Sequence, residues 1–70
     1  MSASKIIKQL MIERNMHVKD VAEKLGINSQ SMSNRLYRDT YTVEDFQKIC
    51  DILGADVVVV LRDTGKTFKD

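Results

Sequence analysis

The stretch VKDVAEKLGINSQSMSNRL, residues 18–36, decides the fold of this chain. Val18, Val21, Ala22 and Leu25 recur at i, i+3, i+4 and i+7, the spacing that lines one face of an α-helix. Gly26 follows at once, and glycine ends a helix in the left-handed conformation without steric cost. Asn28 then offers a side-chain oxygen to the unpaired N–H groups of a new helix. Met32 and Leu36 give that helix a narrow apolar stripe, and the rest of it is polar. Two short helices joined by Gly26-Ile27-Asn28 form a helix-turn-helix, with Ile27 filling the angle and the small Ala22 letting the axes cross closely.

The pattern extends on both sides of this joint. Residues 4–15 carry Ile6, Ile7, Leu10 and Met11 at helical spacing, with Ser2 or Ser4 available as a cap. Residues 43–53 predict a fourth helix, with Thr42 as N-cap and Asp45 at the third position, close to a capping box. Phe46, Ile49, Cys50 and Leu53 form its inner face, and Gly54 ends it. These stripes are core positions, and Cys50 reads as a small buried hydrophobe. The character then changes. Asp56-Val57-Val58-Val59-Val60-Leu61-Arg62 is β-branched and short, so it reads as a strand, followed by a turn at Asp63-Thr64-Gly65-Lys66 and a brief Thr67-Phe68-Lys69. The expected fold is mainly α: four helices with a C-terminal β-strand or short hairpin. Residues 1–54 form the helix-turn-helix unit and residues 55–70 a separate β element.

Function is read from the outer face of the third helix. With Met32 and Leu36 inside, Gln30 and Asn34 point most directly outward. Ser33 and Tyr37 flank one side, Ser31 and Arg38 the other. Gln and Asn make bidentate hydrogen bonds to adenine N6 and N7 in the major groove, and Ser contacts several bases. A face made only for solubility more often carries Lys and Glu. His17, Lys19, Asn28 and Ser29 lie at or beside helix N-termini, where backbone N–H groups and the helix dipole attract phosphate. Arg35, Arg38, Thr40 and Tyr41 lie in or just beyond the third helix, placed to clamp a nucleic-acid backbone.

Composition bounds the alternatives. Seventy residues allow one domain with a limited core, which at this size normally needs a disulfide, a metal or a partner chain. One cysteine and one histidine supply neither a disulfide nor a metal cluster, so a dimer is favoured. No cofactor is expected. No apolar run approaches the ~20 residues of a membrane span, and the start of the chain lacks the features of a signal peptide, so a cytoplasmic protein is expected. The net charge is only +1, yet the halves differ. Residues 5–38 hold seven Lys/Arg against three acids, and residues 39–70 hold four against seven. A basic half suits one face turned toward a polyanion. Lys5, Lys8 and Lys24 read as solvated charges. His17 reads as a helix-start residue, not as a ligand or catalyst. With no nucleophile–base pair, metal set or phosphate loop, the chain is not expected to be an enzyme.

Residues 4–53 resemble the lambda-repressor-like, Xre/Cro-type helix-turn-helix family. Val21-Ala-Glu-Lys-Leu-Gly-Ile27 is close to that family's usual second helix and turn. The resemblance implies a repressor-type transcription factor that binds operator DNA, often as a dimer on a palindrome. By position it places Ser29, Gln30 and Asn34 where the family's base-reading side chains sit, and Asn28 where a phosphate-contacting cap is usual. The chain also departs from the family. Asn28 and His17 stand where Ser or Thr is common, Leu36-Tyr-Arg-Asp-Thr40 replaces an acidic exit from the third helix, and a strand stands in place of a fifth helix.

The expected activity is therefore sequence-specific binding of double-stranded DNA by a transcriptional regulator, with Ser29, Gln30, Ser33 and Asn34 reading bases. His17, Lys19, Asn28, Arg35, Arg38, Thr40 and Tyr41 are the expected phosphate contacts. Val57, Val58, Val59, Val60 and Leu61 are the expected dimerisation residues. Both faces of that strand are apolar, and an isolated strand leaves its backbone unpaired. Pairing with the same strand of a second subunit across a two-fold axis is expected, the alternative being a hairpin with Thr67-Phe68. The rival function is an antitoxin-like or adaptor module that uses the scaffold, and the strand, to bind another protein chain.

Overall fold

Four helices and a short hairpin follow one another along the chain; the structure, a computed structural model, describes residues 2–70. Helix α1 spans Ala3–Glu13, α2 Val18–Leu25, α3 Ser29–Arg38 and α4 Val43–Ile52; strands β1 and β2 are Val59–Val60 and Thr67–Phe68. Each helix begins where a polar residue satisfies a free N–H. Ser2 Oγ accepts from the Lys5 amide at 3.1 Å, Asn28 Oδ1 from the Ser31 amide at 2.8 Å and Thr42 Oγ1 from the Asp45 amide at 3.0 Å. At α2 the partner comes from within the first turn: Asp20 Oδ2 accepts the His17 N–H at 2.8 Å.

The helix ends are equally legible in chemical terms. Gly26 sits at φ +76° with open space around its Cα, so the left-handed backbone alone demands glycine there. The Ile27 amide then donates back to the Ala22 carbonyl at 3.0 Å, which closes α2. Helix α1 stops at Glu13, short of the expected Asn15. Asn15 takes φ 53°, and the Met16 amide donates to the Met11 carbonyl at 2.9 Å. Asparagine tolerates that conformation, so the turn forms two residues early.

Ile7, Met11, Val21, Ala22, Met32, Leu36, Ile49 and Leu53 make one core shared by all four helices, with Cys50 also buried. Leu10, Met16, Val18, Leu25, Ile27, Tyr41 and Phe46 close its edge. Helices α2 and α3 pack most extensively on each other, and α4 packs against both α1 and α2.

Two side-chain nodes tie distant parts of the chain together. Buried Ser4 donates its hydroxyl to the Leu36 carbonyl at 2.8 Å and lies 2.7 Å from the Tyr41 hydroxyl. Ser4 has one hydroxyl proton, and Leu36 takes it, so Tyr41 donates to Ser4. At the opposite end of α1, Arg14 Nε donates to the Leu53 carbonyl at 2.8 Å and its Nη2 to the Gly54 carbonyl at 3.3 Å. Both carbonyls lie just past the end of α4, at its C-cap Leu53 and the following Gly54.

The β element differs from the expected long strand. Regular pairing is limited to Val59 opposite Phe68 and Val60 opposite Thr67, antiparallel and within the chain. The turn explains why. Gly65 at φ +74° lets its amide reach the Leu61 carbonyl at 2.8 Å, while the Leu61 amide donates to the Lys66 carbonyl at 2.9 Å. Chain reversal therefore starts at Leu61, and the valine run pairs first with its own return segment. Neither strand packs against a helix, and Val58, Val59, Val60, Leu61 and Phe68 all stand exposed.

Candidate nucleic-acid interface

The turn at Gly26-Ile27-Asn28 sets the orientation of α3. Val21 and Ala22 of α2 and Met32 and Leu36 of α3 are buried together, which fixes the roll of α3 about its own axis. That roll leaves Gln30 and Asn34 exposed on the far side and Ser33 exposed on its flank. Ser29 is exposed as well, but as the first residue of the helix: by helical spacing it lies on the side of the Met32–Leu36 stripe and is open only because no turn precedes it. Gln30 and Asn34 thus share one exposed surface with Ser33 at its flank, because Met32 and Leu36 are buried; Ser29 stands apart at the start of the helix.

Tyr37 joins them. It is 91% exposed and lies seven residues after Gln30, about two helical turns on, hence nearly in line with it. It was expected only as a flanking residue. The i, i+7 spacing from Gln30 is the sequence signal that identifies it as part of the face. One hydrogen bond orders the centre of this surface: Gln30 Nε2 donates to Asn34 Oδ1 at 3.1 Å.

The residues expected to touch phosphate fall into two groups. Lys19 and Arg38 are exposed, and Arg35 is half-buried beside Leu36. Asn28 spends its Oδ1 on the Ser31 amide, which leaves its NH2 as the outward group, a donor suited to a phosphate oxygen. His17 is exposed at the start of α2. Thr40 and Tyr41 are differently placed. The Thr40 hydroxyl donates to the Arg38 carbonyl at 3.2 Å, and the Tyr41 hydroxyl donates to Ser4. Phosphate oxygens accept hydrogen bonds, and both of these hydroxyl protons are already taken within the fold. Tyr41 also packs at 6.4 Å, ring to ring, on Phe46.

Burial raises the Cys50 thiol above its ordinary range, which keeps it protonated and unreactive. Among the described residues no group of three His, Cys, Asp or Glu side chains is arranged to hold a metal ion, and no helix is long and apolar enough to cross a membrane.

A family model described as the Cro/C1-type HTH DNA-binding domain matches residues 6–57, most of the chain and all four helices apart from the start of α1. No curated protein and no solved structure matches it.

Proposed function

This chain belongs to the Cro/C1-type helix-turn-helix DNA-binding family, and from that premise we propose that it is a sequence-specific transcriptional repressor that reads the major groove with α3. The observation that carries the reading is the outward face of α3. It presents amides and hydroxyls opposite a stripe locked in the core by Met32 and Leu36. Gln30, Ser33 and Asn34 read base edges, and Ser29 and Tyr37 extend the contact at the two ends of the helix. Lys19, Asn28, Arg35 and Arg38, with His17 at the start of α2, hold the phosphates that set the register. Thr40 and Tyr41 serve the fold instead.

Residues 1–54 form the DNA-binding unit in this proposal, and residues 55–70 the dimerisation arm. Two features support the arm. A two-stranded hairpin is marginal in water by itself, and this one keeps several apolar side chains exposed away from the helices. Strand alternation also divides its surface. Val59 and Phe68 are paired on one face, which Val57 and Leu61 continue; Val60 and Thr67 lie on the other. The first face is the more apolar and is the one we assign to a second copy. A two-fold dimer then addresses two half-sites about one helical turn, ~34 Å, apart.

Salt dependence of binding to duplexes selected from a random pool tests the reading. Counterion release makes affinity fall steeply as salt rises, with a log–log slope of about −0.9 per phosphate neutralised. Replacing Arg38 with Ala is expected to lower that slope by about one and to weaken all duplexes alike. A flat salt response, or no duplex binding at low salt, overturns the reading in favour of a protein-binding module.

A further inference from the structure

The Gln30–Asn34 hydrogen bond constrains what each side chain offers to DNA. A carboxamide carries two N–H protons, one on the side of its own oxygen and one on the opposite side. Gln30 gives one Nε2 proton to Asn34 Oδ1. When that is the proton remote from Oε1, the remaining N–H and Oε1 lie side by side as a donor–acceptor pair. Adenine presents the complementary pair in the major groove, N7 accepting and N6 donating. Asn34, having accepted through Oδ1, is left with its NH2 as the outward group. A donor there matches bases with only acceptors on that edge: guanine, through O6 and N7, or thymine, through O4. The two side chains lie one turn apart on the helix and both are exposed, so nothing else in the fold requires the bond.

We propose that Asn34 is a positioning residue for Gln30: it fixes the Gln30 amide for adenine while its own NH2 selects guanine or thymine at a neighbouring base pair. This rests on the reading of α3 as the base-contacting helix. The bond also explains why a glutamine, with its extra rotatable bond, can discriminate here. Its rotamer is biased toward this arrangement before DNA arrives, so somewhat less side-chain entropy is lost on binding.

The test is selection from a random duplex pool with the full chain, comparing wild type, Gln30→Ala, Asn34→Ala and Asn34→Asp. Wild type is expected to select adenine at one position and guanine or thymine at a neighbour. Gln30→Ala loses the adenine preference. Asn34→Ala loses the neighbour preference and also cuts the adenine preference about twofold, the scale of an exposed i,i+4 amide pair, a loss that contact between Asn34 and its own base does not produce. Asn34→Asp keeps the accepting oxygen, so adenine preference returns, while the neighbour preference moves to cytosine or adenine, which offer a donor. An unchanged thermal midpoint checks that each variant is folded. The proposal is overturned if Asn34→Ala retains full adenine preference, or if Asn34→Asp fails to restore it. If Gln30→Ala retains the wild-type adenine preference, the base-reading assignment of α3 falls as well, and that result is separate from anything seen at Asn34.

Discussion

The Oδ1 atom of Asp39 accepts the backbone N–H of Ser4 at 2.8 Å, across 35 residues of sequence. Asp39 itself sits at φ 54° and ends α3, with its amide on the Arg35 carbonyl. One residue thus closes α3 and satisfies a free amide in the first turn of α1. The Ser4 N–H, followed by the Ser2 hydroxyl, holds the Asp39 carboxyl below the usual carboxylate range. The folded chain therefore binds fewer protons here than the unfolded chain. The stabilisation is present above the ordinary carboxylate pKa and disappears as pH falls through the lowered one. Asp39→Asn keeps an accepting oxygen and tolerates the left-handed backbone but cannot ionise. Urea midpoints measured at neutral and acid pH are expected to show wild type above Asp39→Asn near neutrality, with the gap closing in acid. A gap of constant size shows that the charge contributes nothing.

Arg14 and Gly54 meet at the other end of the bundle. A Cβ built on Gly54 falls 3.0 Å from Arg14 Nη2, and Gly54 has φ +73°. Gly54→Ala is therefore expected to cost about 1–2 kcal/mol through the left-handed backbone. Arg14→Ala removes the donors to the Leu53 and Gly54 carbonyls and is expected to cost about 1 kcal/mol. The two effects should not add. Without Arg14 the new methyl meets no guanidinium, so Gly54→Ala becomes cheaper by about 0.5 kcal/mol in the Arg14→Ala background. A double-mutant cycle by urea unfolding measures this, and strict additivity would show that the guanidinium moves aside freely.

Core and exposed face separate cleanly in α3. Met32 is fully buried, so Met32→Ala is expected to cost about 2–4 kcal/mol, much of the stability available to a domain this small. Its loss of DNA binding should follow its loss of helical circular dichroism. Gln30→Ala, at an exposed site, should leave the thermal midpoint within experimental error and change only duplex preference. Unfolding by Gln30→Ala would show that this side chain serves the fold.

The contrast between these residues explains what the sequence makes legible. Met32 and Leu36, four apart, announce a buried stripe, and the exposed polar face is its complement; Gly26 and Asn28 mark the turn by local backbone chemistry. The links from Ser4 to Leu36, Tyr41 and Asp39, and from Arg14 to Leu53, run between single polar atoms more than 30 residues apart and carry no periodicity. For the same reason the internal partners of the Thr40 and Tyr41 hydroxyls, the Arg38 carbonyl and Ser4, are invisible until the fold is in place. In the β element, composition identifies the strand. The early reversal at Leu61 depends on Gly65 adopting positive φ, which the sequence permits without requiring.

The hairpin gives the sharpest test of assembly, because its two faces differ. Val59 is 66% exposed and Val60 51%, so neither is needed by the helical core. If the face of Val59 and Phe68 meets a second copy, Val59→Lys places a charge in a buried apolar contact and should raise the dimer dissociation constant at least tenfold. Val60→Lys points to the opposite face, beside Thr67, and should change it little. Sedimentation at several concentrations reads both. Binding to a duplex with two half-sites should lose cooperativity in Val59→Lys, while binding to a single half-site persists, because α3 lies in a different part of the chain. Equal effects of the two lysines would place the interface elsewhere on the arm. A Val59→Lys protein that stays dimeric, together with a dimeric chain lacking residues 56–70, would move the interface to the helices.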